Sequence, residues 1–352
     1  MILDPILDLF RGKAVTIPPL DGAFRPNTDL DEAPLFARLA DVDNLVVRDG
    51  QLLASSGNGL YRVTADGETE LLGRYPAPIS ALAVSPQGAL ANGTLLLDGA
   101  EQALPAGVRC ITALAFAASG ELWLANGSAE YSPAEWASDL MHKGASGSLW
   151  KRAAAATQFE RVASGLAFPY GLLPLAEGGI LYSESWRHRL VRLDASGRHI
   201  VADKLPGYPA RLSPAADGGA WLSLFAPRNR LIEFVLQETH YRLDMLTQVP
   251  REFWIAPALS SGRSFLEPLQ CGGIKTMGVH KPWSPSRSYG LLARLDATLR
   301  PLTSHHSRAD GQRHGTTCAV EHAGRVLLAS RGGDAIVDVA PSPLASHPEV
   351  AA

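Results

Sequence analysis

The chain has 352 residues, 46% of them hydrophobic and 19% charged, with 32 lysines and arginines against 35 aspartates and glutamates for a net charge of -3. This composition belongs to a globular protein with a sizeable core. It lacks the basic excess of a general nucleic-acid binder, so no nucleic acid is expected as a partner.

The first stretch, MILDPILDLFRGKAV, has no basic leader region and no long apolar core, which argues against a signal peptide or a membrane span. Asp4 and Asp8 interrupt its apolar positions, so it reads as a short amphipathic segment. Residues 1–42 are expected as an N-terminal extension packed on the main domain, or docked on a protein partner. The cytoplasm is the expected compartment.

From Asp43 onward the chain repeats one cadence: a short apolar run, a Gly-marked turn, then further short runs. The turns are Asp49-Gly50, Gln87-Gly88, Ser119-Gly120, Glu177-Gly178-Gly179, Asp217-Gly218-Gly219 and Ala323-Gly324. Six such units across Asp43 to Val339 predict an all-β chain, a six-bladed β-propeller, in preference to a β-sandwich, which rarely uses so many strands around one recurring turn. The propeller is assigned 43–340, and 341–352 form a tail.

Uneven spacing requires two insertions. In the first, about 129–146, Ser132, Pro133 and Glu135 form a helix start, with Trp136, Leu140 and Met141 on one face, and a stop near Lys143-Gly144. It is either a rim ornament or a lid over the channel mouth. In the second, about 237–288, ETHYRLDMLTQV reads as a helix that Pro250 stops. Phe253, Trp254, Phe265 and Trp283 then form a satellite core or wall an apolar pocket. Either rim insertion, like the N-terminal segment, is a candidate surface for a protein partner.

Cys110, Cys271 and Cys318 are odd in number and show no CxxC spacing, which argues against a disulfide framework or zinc knuckle and for buried free thiols. His305-His306 with Arg300, Arg308 and Arg313 reads as a solvated basic loop. No GxSxG, HExxH or P-loop motif is present.

In a propeller, the starts of the innermost strands line the axial channel. Asp43, Asn44, Asn126, Glu130, Tyr131, Tyr170, Arg211 and His314 fall at such positions. Asp43 is a general base, a metal ligand or a loop cap. His314 suits acid–base work because its unperturbed pKa lies near neutrality. Asn126, Tyr131, Tyr170 and Arg211 are candidate substrate-binding residues, with Arg211 placed to hold a carboxylate or oxyanion or to pair with Asp43 or Glu184. Glu184 is read as structural, pairing with Arg187 or Arg189.

The stretch SGLAFPYGLL, ILYSESWRHRLVRL and KLPGYPARLSPAADGGAWLSL resembles the strictosidine-synthase-like family, which is close to the gluconolactonase and senescence-marker-protein group of six-bladed propellers. Gly165-Leu166, Glu184, Arg189-Leu190, Leu205-Pro206-Gly207, Pro209, Asp217-Gly218 and Trp221 carry the likeness, and SYGLLARLDATLRPL adds to it. The resemblance implies a small-molecule enzyme. It also implies a calcium or zinc ion in the channel for the lactonases, with Asp43 and Asn126 as ligands here. The chain departs from the pattern where Tyr170 replaces an asparagine and Ala210 replaces the metal-binding aspartate, with Arg211 next to it. An arginine there disfavours a second positive charge. Thr317 stands where the alkaloid-forming enzyme has its glutamate, which removes the acid–base group of that condensation. A lactone or ester hydrolase acting on a small molecule at the channel mouth is therefore the expected function. The alternatives are a non-catalytic propeller that binds an anionic or aromatic ligand, or a protein-docking module.

Overall fold

Short strands such as Leu122–Asn126 and Ile180–Glu184 are buried at every position, so each must lie between two apolar faces. A ring of sheets stacked face to face supplies such faces, and a computed structural model of the chain, describing residues 17–84, 87–261, 275–276, 279–280 and 287–339, shows one. It is a six-bladed β-propeller of four-stranded antiparallel sheets.

The innermost strands, in blade order, are Val42–Arg48, Ala81–Ala83, Ile111–Phe116, Pro169–Pro174, Gly207–Pro214 and Thr316–His322. They touch one another around the axis. Apolar layers fill the spaces between blades. Leu181 and Leu190 of blade 4 meet Leu222 and Leu291 of blade 5, for example, and Leu52 and Ala54 of blade 1 meet Leu327 and Ile336 of blade 6. Burial of a Leu side chain in such a layer stabilises the fold by about 1.5–3 kcal/mol. The glycines at the turns are required. Gly179 has φ +84, and a Cβ on it would collide with the carbonyl of Leu193 on the next strand.

Blade 6 takes its outer strand from the other end of the chain: Leu35–Arg38 pairs antiparallel with Ala335–Val339. This corrects the expected domain boundary at residue 43. Residues 35–38 belong to the propeller, because the last sheet would otherwise leave its third strand as an open edge. The segment before it, with a 3-10 turn at Gly22–Phe24 and a helical turn at Asp29–Glu32, packs over blade 5. Asn27 bonds the chain at Ser304 and His306, Asp29 meets His305, and Asp31 accepts from Ser307 and Arg308. His305 and His306 are therefore buried on the strand Pro301–His306, a correction to the solvated loop expected there.

The first insertion is as its sequence dictates. Ser132 and Glu135 form a reciprocal capping box, Pro133 opens the turn, and the helix Trp136–Met141 follows. The second starts earlier than expected. Asn229 caps a helix Arg230–Gln237, which continues into Thr239–Gln248. The run Leu231–Leu236, apolar except for Glu233, is too short for its period to distinguish strand from helix. Trp254 is buried with Leu140, Met141, Tyr208 and Phe225, whereas Phe253 is 36% exposed. Phe265, Trp283 and Cys271 lie outside the described residues. Cys110 and Cys318 are buried free thiols, as expected.

Candidate functional site

The inner strands are interrupted near their starts. Pairing with the second strand slips between Val42 and Leu45, Ile111 and Ala113, Pro169 and Leu172, Pro209 and Leu212, and Thr316 and Cys318. The residues left out of register are Asp43-Asn44, Thr112, Tyr170-Gly171, Ala210-Arg211 and Thr317. Bulges of this kind re-aim side chains, and they recur next to active sites. Small polar residues on the second strand secure two of them. Ser55 Oγ accepts from the Asn44 amide, and Ser183 Oγ accepts from Gly171 and donates to the Ala210 carbonyl. A Cβ at Gly171 would collide with that carbonyl, so the residue after Tyr170 must be glycine for blades 4 and 5 to close.

At this level Arg211 of blade 5 reaches across the channel. Its Nη1 and Nη2 donate to the two carboxylate oxygens of Asp43 of blade 1, at 2.9 and 3.0 Å. Nη2 also donates to the Ser80 carbonyl of blade 2 at 2.7 Å and to the Thr112 carbonyl of blade 3 at 3.4 Å. The guanidinium lies 4.9 Å from the ring centroid of Tyr170 of blade 4. Thr317 of blade 6 donates to the Asp43 carbonyl at 2.8 Å. All six blades thus converge on one buried ion pair. Burial alone would raise the Asp43 carboxyl; Arg211 and then Arg331 outweigh it and hold it below its ordinary value. Burial and the Asp43 charge push the Tyr170 hydroxyl up to about 12.

Above the pair is a cavity of about 370 Å³. Its floor is Asp43, Arg211 and Arg331, and Arg331 lies 3.8 Å from Asp43 Oδ1 while binding Asp41 at 2.6 Å. Its walls are Phe168, Tyr170, Trp186 and Phe225, with Ile79 and Leu259 opposite, and Ser132, Pro133 and Trp136 of the first insertion over them. Phe168 stacks on Trp186 at 4.4 Å and carries a left-handed backbone, φ +56, costly for a bulky residue. Glu184 holds that loop. The buried carboxylate accepts from the Ala167 amide and pairs with both Arg187 and Arg189. Asp139 on the insertion helix accepts from the Trp186 indole at 2.6 Å and so ties the insertion to the wall.

The cavity therefore contains three of the sequence-derived candidates, Asp43, Tyr170 and Arg211. It does not contain the other five, Asn44, Asn126, Glu130, Tyr131 and His314. His314 is buried between the Ser288 hydroxyl at 2.7 Å and the Arg308 carbonyl at 2.8 Å, which assigns its two nitrogens to loop bonds instead of the channel. Asn126 accepts from the Arg109 and Cys110 amides and donates to the Gly107 carbonyl, an internal loop clip. Tyr131 stacks on His142 and bonds its Nδ1. Arg331, Asp41, Phe168 and Trp186 join the site without having been expected there.

The residues present do not fit a divalent metal. Among the described residues no three His, Cys, Asp or Glu side chains cluster to hold one. Asn126 faces away from Asp43's partner set, and both Asp43 oxygens already accept from a cation.

No family model and no curated protein matches this sequence. Solved structures do match. A gluconolactonase from Xanthomonas campestris superposes with a TM-score of 0.55 at 13% identity over 86% of this chain and 87% of that one. Regucalcin from Agrobacterium tumefaciens, a calcium-binding protein, gives 0.51 at 13% over 85% and 83%. A luciferin-regenerating enzyme gives 0.50 at 11% over 84% and 86%. At these identities the likeness is one of fold: the chain is a six-bladed propeller of the regucalcin and gluconolactonase shape. No helix among the described residues is long and apolar enough to cross a membrane.

Proposed function

We propose that the chain is a small-molecule hydrolase of the broad strictosidine-synthase-like and gluconolactonase kind, cleaving a lactone or ester with an aromatic or apolar body at the channel mouth. The observation that carries this is one charged floor, Asp43 with Arg211 and Arg331, beneath a cavity walled by four aromatic side chains. An apolar wall with few convergent polar groups is the form of a small-molecule site. Asp43 Oδ1 accepts one bond, from Arg211, and keeps a lone pair for another donor, whereas Oδ2 accepts from both Arg211 and the Asn44 side chain. In the reaction proposed, a water between Asp43 and the substrate attacks the carbonyl carbon and gives its proton to Asp43. The oxyanion faces Arg331 and the neutral Tyr170 hydroxyl. Collapse breaks the acyl C–O bond, and the proton passes from Asp43 to the leaving oxygen.

A second reading is favoured by one observation: the lowered, doubly bonded Asp43 is a weak base. There the cavity binds an aromatic or anionic ligand without turnover. The neighbouring structures include enzymes of the first kind, which supports the hydrolase as the main reading. A panel of lactones and aryl esters tests it. Turnover that falls at least ~100-fold in Asp43→Asn, with folding retained, is expected. Saturable binding with no turnover of any member would replace it with the second reading.

A further inference from the structure

We infer that the Arg211 guanidinium is the built-in cation of the channel, occupying the place where a propeller of this shape could hold a divalent ion, so that the chain carries no resident channel metal. The inference stands apart from the catalytic proposal and holds whether or not the site turns over. Its basis is the ligand shell of the guanidinium. Four oxygen atoms on three blades surround the two terminal nitrogens: both Asp43 carboxylate oxygens and the carbonyls of Ser80 and Thr112, with the Asp43 carbonyl a fifth at 3.3 Å. Convergence of oxygens from separate strands is what a hard cation requires. Here the charge is delivered on a side chain of a fourth blade and backed by the Tyr170 face of a fifth.

The geometry excludes a second tenant. A divalent ion bound to Asp43 would lie within a few ångströms of a guanidinium that cannot deprotonate, since Asp43 raises its pKa further against the lowering effect of burial. Two such charges repel strongly in a buried setting. Arg211 borders both the 370 Å³ cavity and a second, mainly apolar cavity of about 560 Å³ at the other end of the channel, so its head group forms the partition between them.

The test uses the purified full chain. Elemental analysis is expected to find no stoichiometric calcium or zinc, and the melting temperature is expected to be the same with chelator, calcium or zinc, since a ligand that binds only the native state would raise it. Arg211→Ala is expected to melt lower and to recover part of the loss in low-millimolar guanidinium chloride, with no recovery in matched sodium chloride. Should that variant fail to fold, Arg211→Lys, which keeps the charge and loses the fork, is expected to fold and to melt below the wild type, and an Arg211→Lys chain that melts like the wild type overturns the inference. A wild-type chain that holds one divalent ion, or melts earlier in chelator, overturns the inference. So does an Arg211→Ala chain that melts like the wild type.

Discussion

Asp43 and Arg211 lie 168 residues apart in sequence and meet in a two-point ion pair at the centre of the ring. Their separation in sequence is what makes the pair informative, because it forms only when blade 1 and blade 5 are both in place. Removing one partner leaves the other charged and buried, which costs about 3–5 kcal/mol. Replacing both together, as Asp43→Leu with Arg211→Met, is expected to cost less than either single change. A denaturant double-mutant cycle measures this, and simple additivity would show that the pair is not coupled.

The aromatic wall predicts a binding effect. Trp186→Leu removes the stack on Phe168 and the bond to Asp139 while leaving Asp43, Arg211 and Arg331 in place. For an aryl ester substrate, KM is expected to rise about 10-fold, on the scale of one lost aromatic contact, with kcat nearly unchanged. Steady-state kinetics separate the two constants. A fall confined to kcat would show that Trp186 positions the reacting atoms instead.

Acid sensitivity is expected at blade 5. Burial, and then the neighbouring His305, push His306 from 6.5 down to about 4. Its ring faces the Tyr289 hydroxyl and the Ser304 hydroxyl, and the backbone beside it donates to Asn27. The unfolded chain binds the proton more readily, so the contribution is complete above pH 6.5 and is lost as pH falls towards 4, on the order of 3 kcal/mol. Stability measured against pH in the wild type and His306→Gln checks this, with the slope between those limits expected to flatten in the variant. Asp43 adds a separate loss below its ordinary value of 3.8, because its folded pKa is lowered.

The thiols should be silent in the native state. Burial pushes Cys110 up to about 12 and raises Cys318 as well, and both are buried. A Cys271→Ser chain treated with a thiol-specific reagent is expected to react only after unfolding, then at both cysteines. Rapid reaction of the folded variant would contradict the buried placement.

Much of the fold is legible because its signals are local. Turns such as Glu177-Gly178-Gly179 need positive φ, and the capping box at Ser132 lies within four residues. Asp43, Tyr170 and Arg211 stand out for a similar reason: polar or bulky residues interrupt apolar inner strands where the pairing bulges. What the sequence hides depends on distant partners. Nothing near Leu35–Arg38 announces that its partner is Ala335–Val339. Arg331 follows the end of a strand in blade 6 and reaches the site only through ring geometry. His314 has the chemistry of a catalyst and the surroundings of a loop fastener, and only contacts with Ser288 and Arg308 distinguish the two. His305 and His306 look solvated until the N-terminal segment covers them.

The strand Leu35–Arg38 has a consequence for how the molecule is made. It leaves the ribosome before any other strand of the propeller, yet its hydrogen-bonding partner Ala335–Val339 is the last propeller strand to follow. The newborn strand must therefore wait unpaired until every other strand of the propeller has been translated.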